Sequence, residues 1–242
     1  MLQKMTAIVI RTIRYNDNSN IIDTYTEPYG RMSLIISIPK SRHSNLKGSM
    51  FQSLSIVEIE ADIHASHTLS RIKNARLLYP FSTILFDKTK VSIAFFLAEF
   101  LSHALREESG NTSLFAYLKN SILWLDSCTE RYTNFHLVFL MHLSGFLGFY
   151  PNLQDYHSND FFDMQNSCFV RQKPLIHPYY ILPNEAEHLV VMMRMNYNNM
   201  HLFQMNRYQR NRCIEIIIEY YRIHLPEFPE LKSLEILRDL FD

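Results

Sequence analysis

Residues 27–48 read EPYGRMSLIISIPKSRHSNLKG: a Pro-Tyr-Gly-Arg turn, a short apolar strand, then Lys40, Arg42, His43 and Lys47 in quick succession. A turn needs only polarity, so this density of cations asks for a partner. Ammonium and guanidinium groups hold phosphate oxygens through charge-assisted hydrogen bonds, and such an arm is expected to meet a nucleic-acid backbone. The chain as a whole argues the other way, because 24 Lys/Arg balance 24 Asp/Glu. Resolved by region, the balance changes. Residues 1–50 hold seven Lys/Arg against three acids, and residues 151–242 hold nine against twelve. A basic head on a mildly acidic body binds anions locally while the molecule stays neutral.

Other chemistry is excluded by spacing. The five glycines, Gly30, Gly48, Gly110, Gly145 and Gly148, form neither GxGxxG nor GxxxxGK[ST], so nucleotide hydrolysis and dinucleotide cofactors are not expected. No GxSxG elbow is present. The eleven histidines include no HExxH pair; His136 and His142 sit in an apolar stretch and read as packing residues. Glu107 and Glu108 end a helical pattern and read as a solvated terminus. Cys128, Cys168 and Cys213 form no CxxC, and an odd, sparse count suits a reducing cytoplasm. The expectation is a protein that is not an enzyme, with no cofactor and no bound metal.

Five strand patterns must position the basic arm: TAIVIRTIRY, NIIDTYTE, RMSLIISI, QSLSIVEIEAD and LSRIKNARLL, all before residue 80. Five short strands point to a closed barrel, which removes exposed edges. The OB-fold is the first expectation and an SH3-like barrel its rival. From about Lys88 the period changes to that of a helix. KVSIAFFLAEFLSHALREE, then SLFAYLKNSILWLDS with Leu114, Leu118, Ile122 and Leu125 on one face, then YTNFHLVFLMHLSGFLGF read as helices. Asn111 or Thr112 can cap the second. Further helices are expected at about 184–199, 206–224 and 230–241. Residues 151–183 carry Pro151, Pro174, Pro178 and Pro183 without helical period and read as an irregular insert. The apolar run at 135–150 falls short of a membrane span. MLQKMTAIVIRTIRY lacks the apolar core and cleavage site of a signal peptide. The expected fold class is therefore α+β, a β-barrel plus an all-α part. An OB-fold domain over 1–80 precedes a helical domain over 81–242, with its insert at 151–183, in a cytoplasmic protein.

The order of these signals resembles the RecO family, bacterial DNA repair and recombination mediators. TAIVIRTIRYNDNSNIIDTYTEPYGRMSLIISIPKS resembles the family's N-terminus through Tyr15, Thr26, Gly30, Arg31 and the Lys40–Lys47 arm. FFLAEFLSHALREESGNTSLFAYLKNSILWLD, FLGFYPNL and LPEFPELKSLEILRDLF are similar to its later signatures, in the right order. One departure stands out. Many members follow the Pro-x-Leu turn with cysteine pairs that bind zinc; here the first pair's positions hold Tyr156 and Asn159, and only Cys168 remains in the insert. One thiolate cannot hold a structural zinc. Aromatic packing by DFFDMQNSCFV is expected in place of the metal, with His157, Cys168 and His177 as the alternative, weak metal set.

The resemblance implies a non-enzymatic protein that binds single-stranded DNA, double-stranded DNA more weakly, and anneals complementary strands. It also implies work with RecR to help RecA replace single-strand-binding protein, and a pocket for that protein's acidic, apolar C-terminal tail. A barrel groove serves such a task when cations follow the phosphates and aromatic faces stack on bases. The expected DNA-binding residues are Arg11, Arg14, Arg31, Lys40, Arg42 and Lys47, with Tyr15, Tyr25 and Tyr29 beside them. Arg31 either faces the groove or flanks the turn, and Gly30 serves the turn through positive φ. Lys119, Arg131 and the Arg207, Arg210 and Arg212 group are candidates for the rim of the tail pocket. The rival reading is an interaction adaptor whose OB or SH3-like barrel does not bind DNA.

Overall fold

The computed structural model describes residues 1–37, 48–63, 69–106, 108–154 and 156–239. Lys40, Arg42, His43 and Lys47 lie outside them. The described residues form two compact units, one of residues 1–127 with 231–237 and one of residues 128–230 with 238 and 239.

In the first unit, β1 (Leu2–Asn16), β2 (Ser19–Thr26), β3 (Gly30–Ser37), β4 (Ile56–Asp62) and β5 (Ser70–Leu77) close a barrel in the order β1-β2-β3-β5-β4. This is the expected five-stranded barrel, consistent with an OB-fold. Closure runs through an antiparallel ladder from Leu2↔Asp62 to Ile8↔Ile56, and β3 meets β5 in parallel. Period-two alternation turns Met5, Ala7 and Val9 inward onto Ile22, Leu34, Val57, Ile59 and Ile72, with Phe51 closing the core.

A β-bulge interrupts β1. Val9 pairs Thr24 but Arg11 pairs Asp23, leaving Ile10 as the extra residue. That one-residue slip aims Arg11 out of the barrel, directly opposite Asp23.

Two helices share this unit, α1 (Lys88–Ala104) and α2 (Thr112–Ser127). Asp87 caps α1 through the Thr89 and Lys90 amides, and Asn111 accepts from Leu114 N at 3.0 Å at the start of α2. Leu114, Leu118, Ile122 and Leu125 are all buried on one face. The Asp126 carboxylate takes the Ser82, Thr83 and Ile84 amides at 2.9–3.1 Å, which pins the segment leading into α1.

The Pro28-Tyr29-Gly30 turn is locked against residues 108–110. Gly30 has φ +69°, and a Cβ there would stand 2.3 Å from Glu108 O. Arg31 N donates to Glu108 O at 3.0 Å, and Tyr25 Oη donates to Ser109 O at 3.1 Å.

The second unit holds α3 (Phe135–Phe146), β6 (Phe161–Asp163), β7 (Cys168–Val170), β8 (Tyr180–Ile181), α4 (Pro183–Arg194) and α5 (Arg207–His224). Helix α6 (Ser233–Asp239) follows. α3 is buried on nearly every side, as an all-round apolar helix must be. The expectation of an irregular insert at 151–183 is corrected here. It contains a three-stranded sheet of order β7-β6-β8, whose strands of two or three residues are too short to show a period. α4 also stops at Arg194 rather than 199, because the Asn196 side chain accepts the Asn198 and Asn199 amides and turns the chain.

In the insert, Tyr156 packs edge-on against Phe169 with ring centroids 4.7 Å apart, and Phe162 lies 5.0 Å from the same ring. His157 faces Asp160 and His177 faces Asp163. Among the described residues no three His, Cys, Asp or Glu side chains gather in a metal-binding group. None of the described helices is long and apolar enough to cross a membrane.

Candidate nucleic-acid interface

The bulged register of β1 builds a charged cluster on the outer face of the barrel. Arg11, Asp23 and Ser33 stand opposite one another across β1, β2 and β3, and Arg31, paired with Tyr25, reaches Asp23 on the diagonal. Asp23 Oδ2 accepts from Arg11 Nε at 2.6 Å and from Arg31 Nη2 at 3.1 Å; Oδ1 accepts from Ser33 Oγ at 2.5 Å. The two guanidiniums differ in access. Arg11 is 52% exposed, whereas Arg31 is 13% exposed, and Arg31 Nη1 is buried with no hydrogen-bond partner among the described residues.

Burial raises the Asp23 carboxyl, but the Ser33 hydroxyl, the Arg11 hydrogen bond and the two guanidinium charges outweigh it. The net shift is below the ordinary carboxylate value. The carboxylate anchors two cations.

The end of α1 completes the wall. Arg11, Asp23, Arg31, Ser33, His103 and Arg106 line a hollow of about 600 Å³. Burial lowers the His103 pKa; Glu99 pulls it up, and Arg11, Arg106 and Arg31 push it down, for a net shift below the ordinary imidazole value. Glu99 itself turns to the start of α6, accepting Lys232 N at 3.0 Å and Ser233 N at 2.8 Å. Three guanidiniums against one carboxylate leave the hollow cationic, with the His103 imidazole beside them. Such a surface takes an oxyanion.

Of the six expected DNA-binding residues, the structure brings Arg11 and Arg31 together, and both line the hollow. Arg14 stands apart: it is 74% exposed and donates to Asp17 Oδ1 at 2.6 Å near the β1–β2 turn. Lys40, Arg42 and Lys47 fall outside the described residues. Arg71, whose Nη1 donates to Ser37 Oγ at 3.2 Å, stands beside the last described residue before them.

Tyr25 stands apart from Tyr15 and Tyr29. Its ring is fully buried and lies parallel to Phe115 at 6.5 Å, and burial pushes the phenol up to about 12. Tyr15 and Tyr29 are exposed.

Sequence reasoning missed Asp23, Ser33, His103 and Arg106. The alternation of β2 and β3 puts Asp23, Arg31 and Ser33 on one face, which was the readable signal. The meeting of that face with the end of α1 is tertiary and leaves none.

The candidate rim of a tail pocket is largely spent on internal contacts. Arg210 Nε donates to Asn134 Oδ1 at 3.1 Å, Arg212 forms a two-pronged pair with Glu185 at 2.5 and 2.8 Å, and Arg207 binds Arg238 O and Asp239. Lys119 lies over the Tyr79 ring at 5.3 Å, and Arg131 stands beside Glu130.

Two family models match the chain: "Recombination protein O N terminal" over residues 1–81 and "Recombination protein O C terminal" over residues 85–235. The chain is 54% identical to the DNA repair protein RecO of Bacteroides fragilis and 55% identical to that of Phocaeicola vulgatus, with all of each chain covered. It is 32% identical to that of Flavobacterium psychrophilum over 98% of both chains. A signature spread over nearly the whole chain, a closed barrel that carries the cationic cluster, and full-length relatives at this identity agree: the chain belongs to the RecO family of DNA repair proteins.

Proposed function

We propose that this chain is a stoichiometric recombination mediator. Its barrel domain, residues 1–80, binds single-stranded DNA and anneals complementary strands, with double-stranded DNA held more weakly. Together with RecR it helps RecA replace single-strand-binding protein, whose C-terminal tail it grips, and it works at the nucleoid without catalysing a reaction. Holding the strand and the resident protein at once raises the local concentration of each site for the other.

The observation that carries this reading is the cationic hollow: Arg11 and Arg31 fixed on Asp23 and facing the same space as His103 and Arg106. The Lys40, Arg42 and Lys47 arm and Arg14 extend the phosphate contacts along the strand. Neutralising Lys40, Arg42 and Lys47 to alanine is expected to slow annealing of complementary oligonucleotides severalfold. Unchanged annealing contradicts the reading.

One observation favours the adaptor as a second reading. Leu175 and Ile176 are 93% and 97% exposed between Pro174 and Pro178, an arrangement suited to docking on another protein.

A further inference from the structure

α1 buries ten of its seventeen residues, yet Phe95 in its middle is 59% exposed. An exposed phenylalanine on a core helix needs a reason, and its surroundings supply one. Phe95 borders two hollows that continue the cationic one. The nearer, about 270 Å³, shares Arg11, Ser102 and His103 with it. The farther, about 380 Å³, is walled by Phe51, Ile84, Leu85, Val91 and Ala94 and bordered by Thr12, Gln52 and Ser53. On the helix side, the three hollows are lined by Val91, Phe95, Ala98 and Ser102 at helical spacing, with Glu99 beside them in the nearer hollow and Arg106 two residues past the end of α1. From Val91 to Ser102 the helix rises about 16 Å along this trough.

We infer that the trough between β1 and α1 is the path of a single strand, with Phe95 as the platform on which a base stacks while Arg11, Arg31 and Arg106 hold the phosphates beyond it. The inference rests on the single-strand reading above and adds a site outside the basic arm. It places a base contact on a helix that packs against the barrel, where the tyrosines of the strands were expected to serve.

The polarity of the trough chooses the occupant. A peptide that ends in an apolar side chain carries its terminal carboxylate on that same residue, so its pocket needs a cation at the apolar end. Here the residues lining the apolar hollow include no Lys, Arg or His, and the guanidiniums stand at the other end. A nucleotide strand separates the two needs. Its bases offer π-faces to Phe95, and its phosphates repeat along the trough toward the cations. The hydroxyl and amide groups of Ser53 and Gln52 beside Phe95 give base edges polar partners without selecting one base.

The test is fluorescence anisotropy with labelled dT20 across a salt series, on the full chain carrying Phe95→Ala, Phe95→Trp or Arg11→Gln. Phe95 is exposed, so its loss leaves the fold intact. Phe95→Ala is expected to weaken binding roughly five- to 150-fold, the range for one stacked base, with the salt slope unchanged because a ring displaces no counterions. Arg11→Gln is expected to flatten the slope by about 0.7. Phe95→Trp is expected to keep affinity and to lose indole emission on adding dT20, beyond any change in the unaltered chain with its Trp124. If the unaltered chain fails to bind dT20, the single-strand reading falls and the platform with it. If it binds and Phe95→Ala binds equally well, the platform alone is overturned. If Phe95→Ala weakens binding of an acidic peptide ending in phenylalanine and not of dT20, the trough is a peptide dock and the inference is wrong.

Discussion

Arg11 and Arg31, on separate strands, donate to a single oxygen, Asp23 Oδ2, at 2.6 and 3.1 Å. One carboxylate thereby holds two guanidiniums side by side, which their mutual repulsion would otherwise prevent. Positioning of this kind costs little in a barrel because the ladder already sets Asp23 opposite Arg11. The shared acid lowers the net charge of the hollow by one while fixing where its cations point.

Asp23→Ala is expected to destabilise the fold by about 3 kcal/mol, because it leaves the largely buried Arg31 without its counter-charge. The folded-state pKa of Asp23 is depressed. Its contribution is therefore fully present above the unfolded carboxyl value and is lost as pH falls through the folded value. Urea denaturation of the wild type and Asp23→Asn should show a stability gap near neutrality that narrows below about pH 4. A gap independent of pH would show that the pair contributes nothing through charge.

His103 gives DNA binding a pH dependence. Its pKa is held below the ordinary value by burial and by Arg11, Arg106 and Arg31, against Glu99, and Asp23 lies in the same hollow. A bound phosphate favours the charged imidazole, so binding takes up a proton and tightens as pH falls. Affinity for dT20 should rise about three- to tenfold from about pH 7.5 to about 5.5, and His103→Gln should remove most of that rise. An equal rise in the variant would assign the effect elsewhere.

Much of the fold is legible because it is written in local periods. The alternation of apolar residues in β1 to β5, and Leu114, Leu118, Ile122 and Leu125 at helical spacing, define elements whose cores follow directly. Gly30 is legible for the same reason, since a Pro-Tyr-Gly turn asks for positive φ. What the sequence could not show depends on packing between elements. Tyr25 and Tyr15 look equivalent in sequence, yet Tyr25 is buried against Phe115 and Tyr15 is exposed, because helices cover only part of the barrel's outer face. The convergence of Arg106 with Arg11 depends on where α1 settles, which no local pattern encodes. β6 to β8 are too short to carry a period at all.

Gly30 and Gly110 stand on the two sides of one contact. A Cβ on Gly30 would stand 2.3 Å from Glu108 O, and one on Gly110 would stand 2.3 Å from Pro28 O. Gly30→Ala and Gly110→Ala are each expected to cost about 2 kcal/mol or more in urea denaturation, Gly30 more because of its positive φ. The double variant should cost less than the two together, since the first substitution already separates the loops. Strict additivity would mean that the glycines act independently.

The most direct test of single-strand binding is the salt dependence of dT20 affinity, with a duplex of equal length as control. Neutralising about three to five phosphates gives log K against log salt a slope of about −2 to −3.5. The expected result is a slope in that range, tighter binding of the single strand than of the duplex, and a flatter slope after Arg11→Gln or after Lys40, Arg42 and Lys47→Ala. Absence of binding at low salt, or a slope that ignores these substitutions, would contradict a phosphate-binding role for the barrel's cations and leave the adaptor reading in its place.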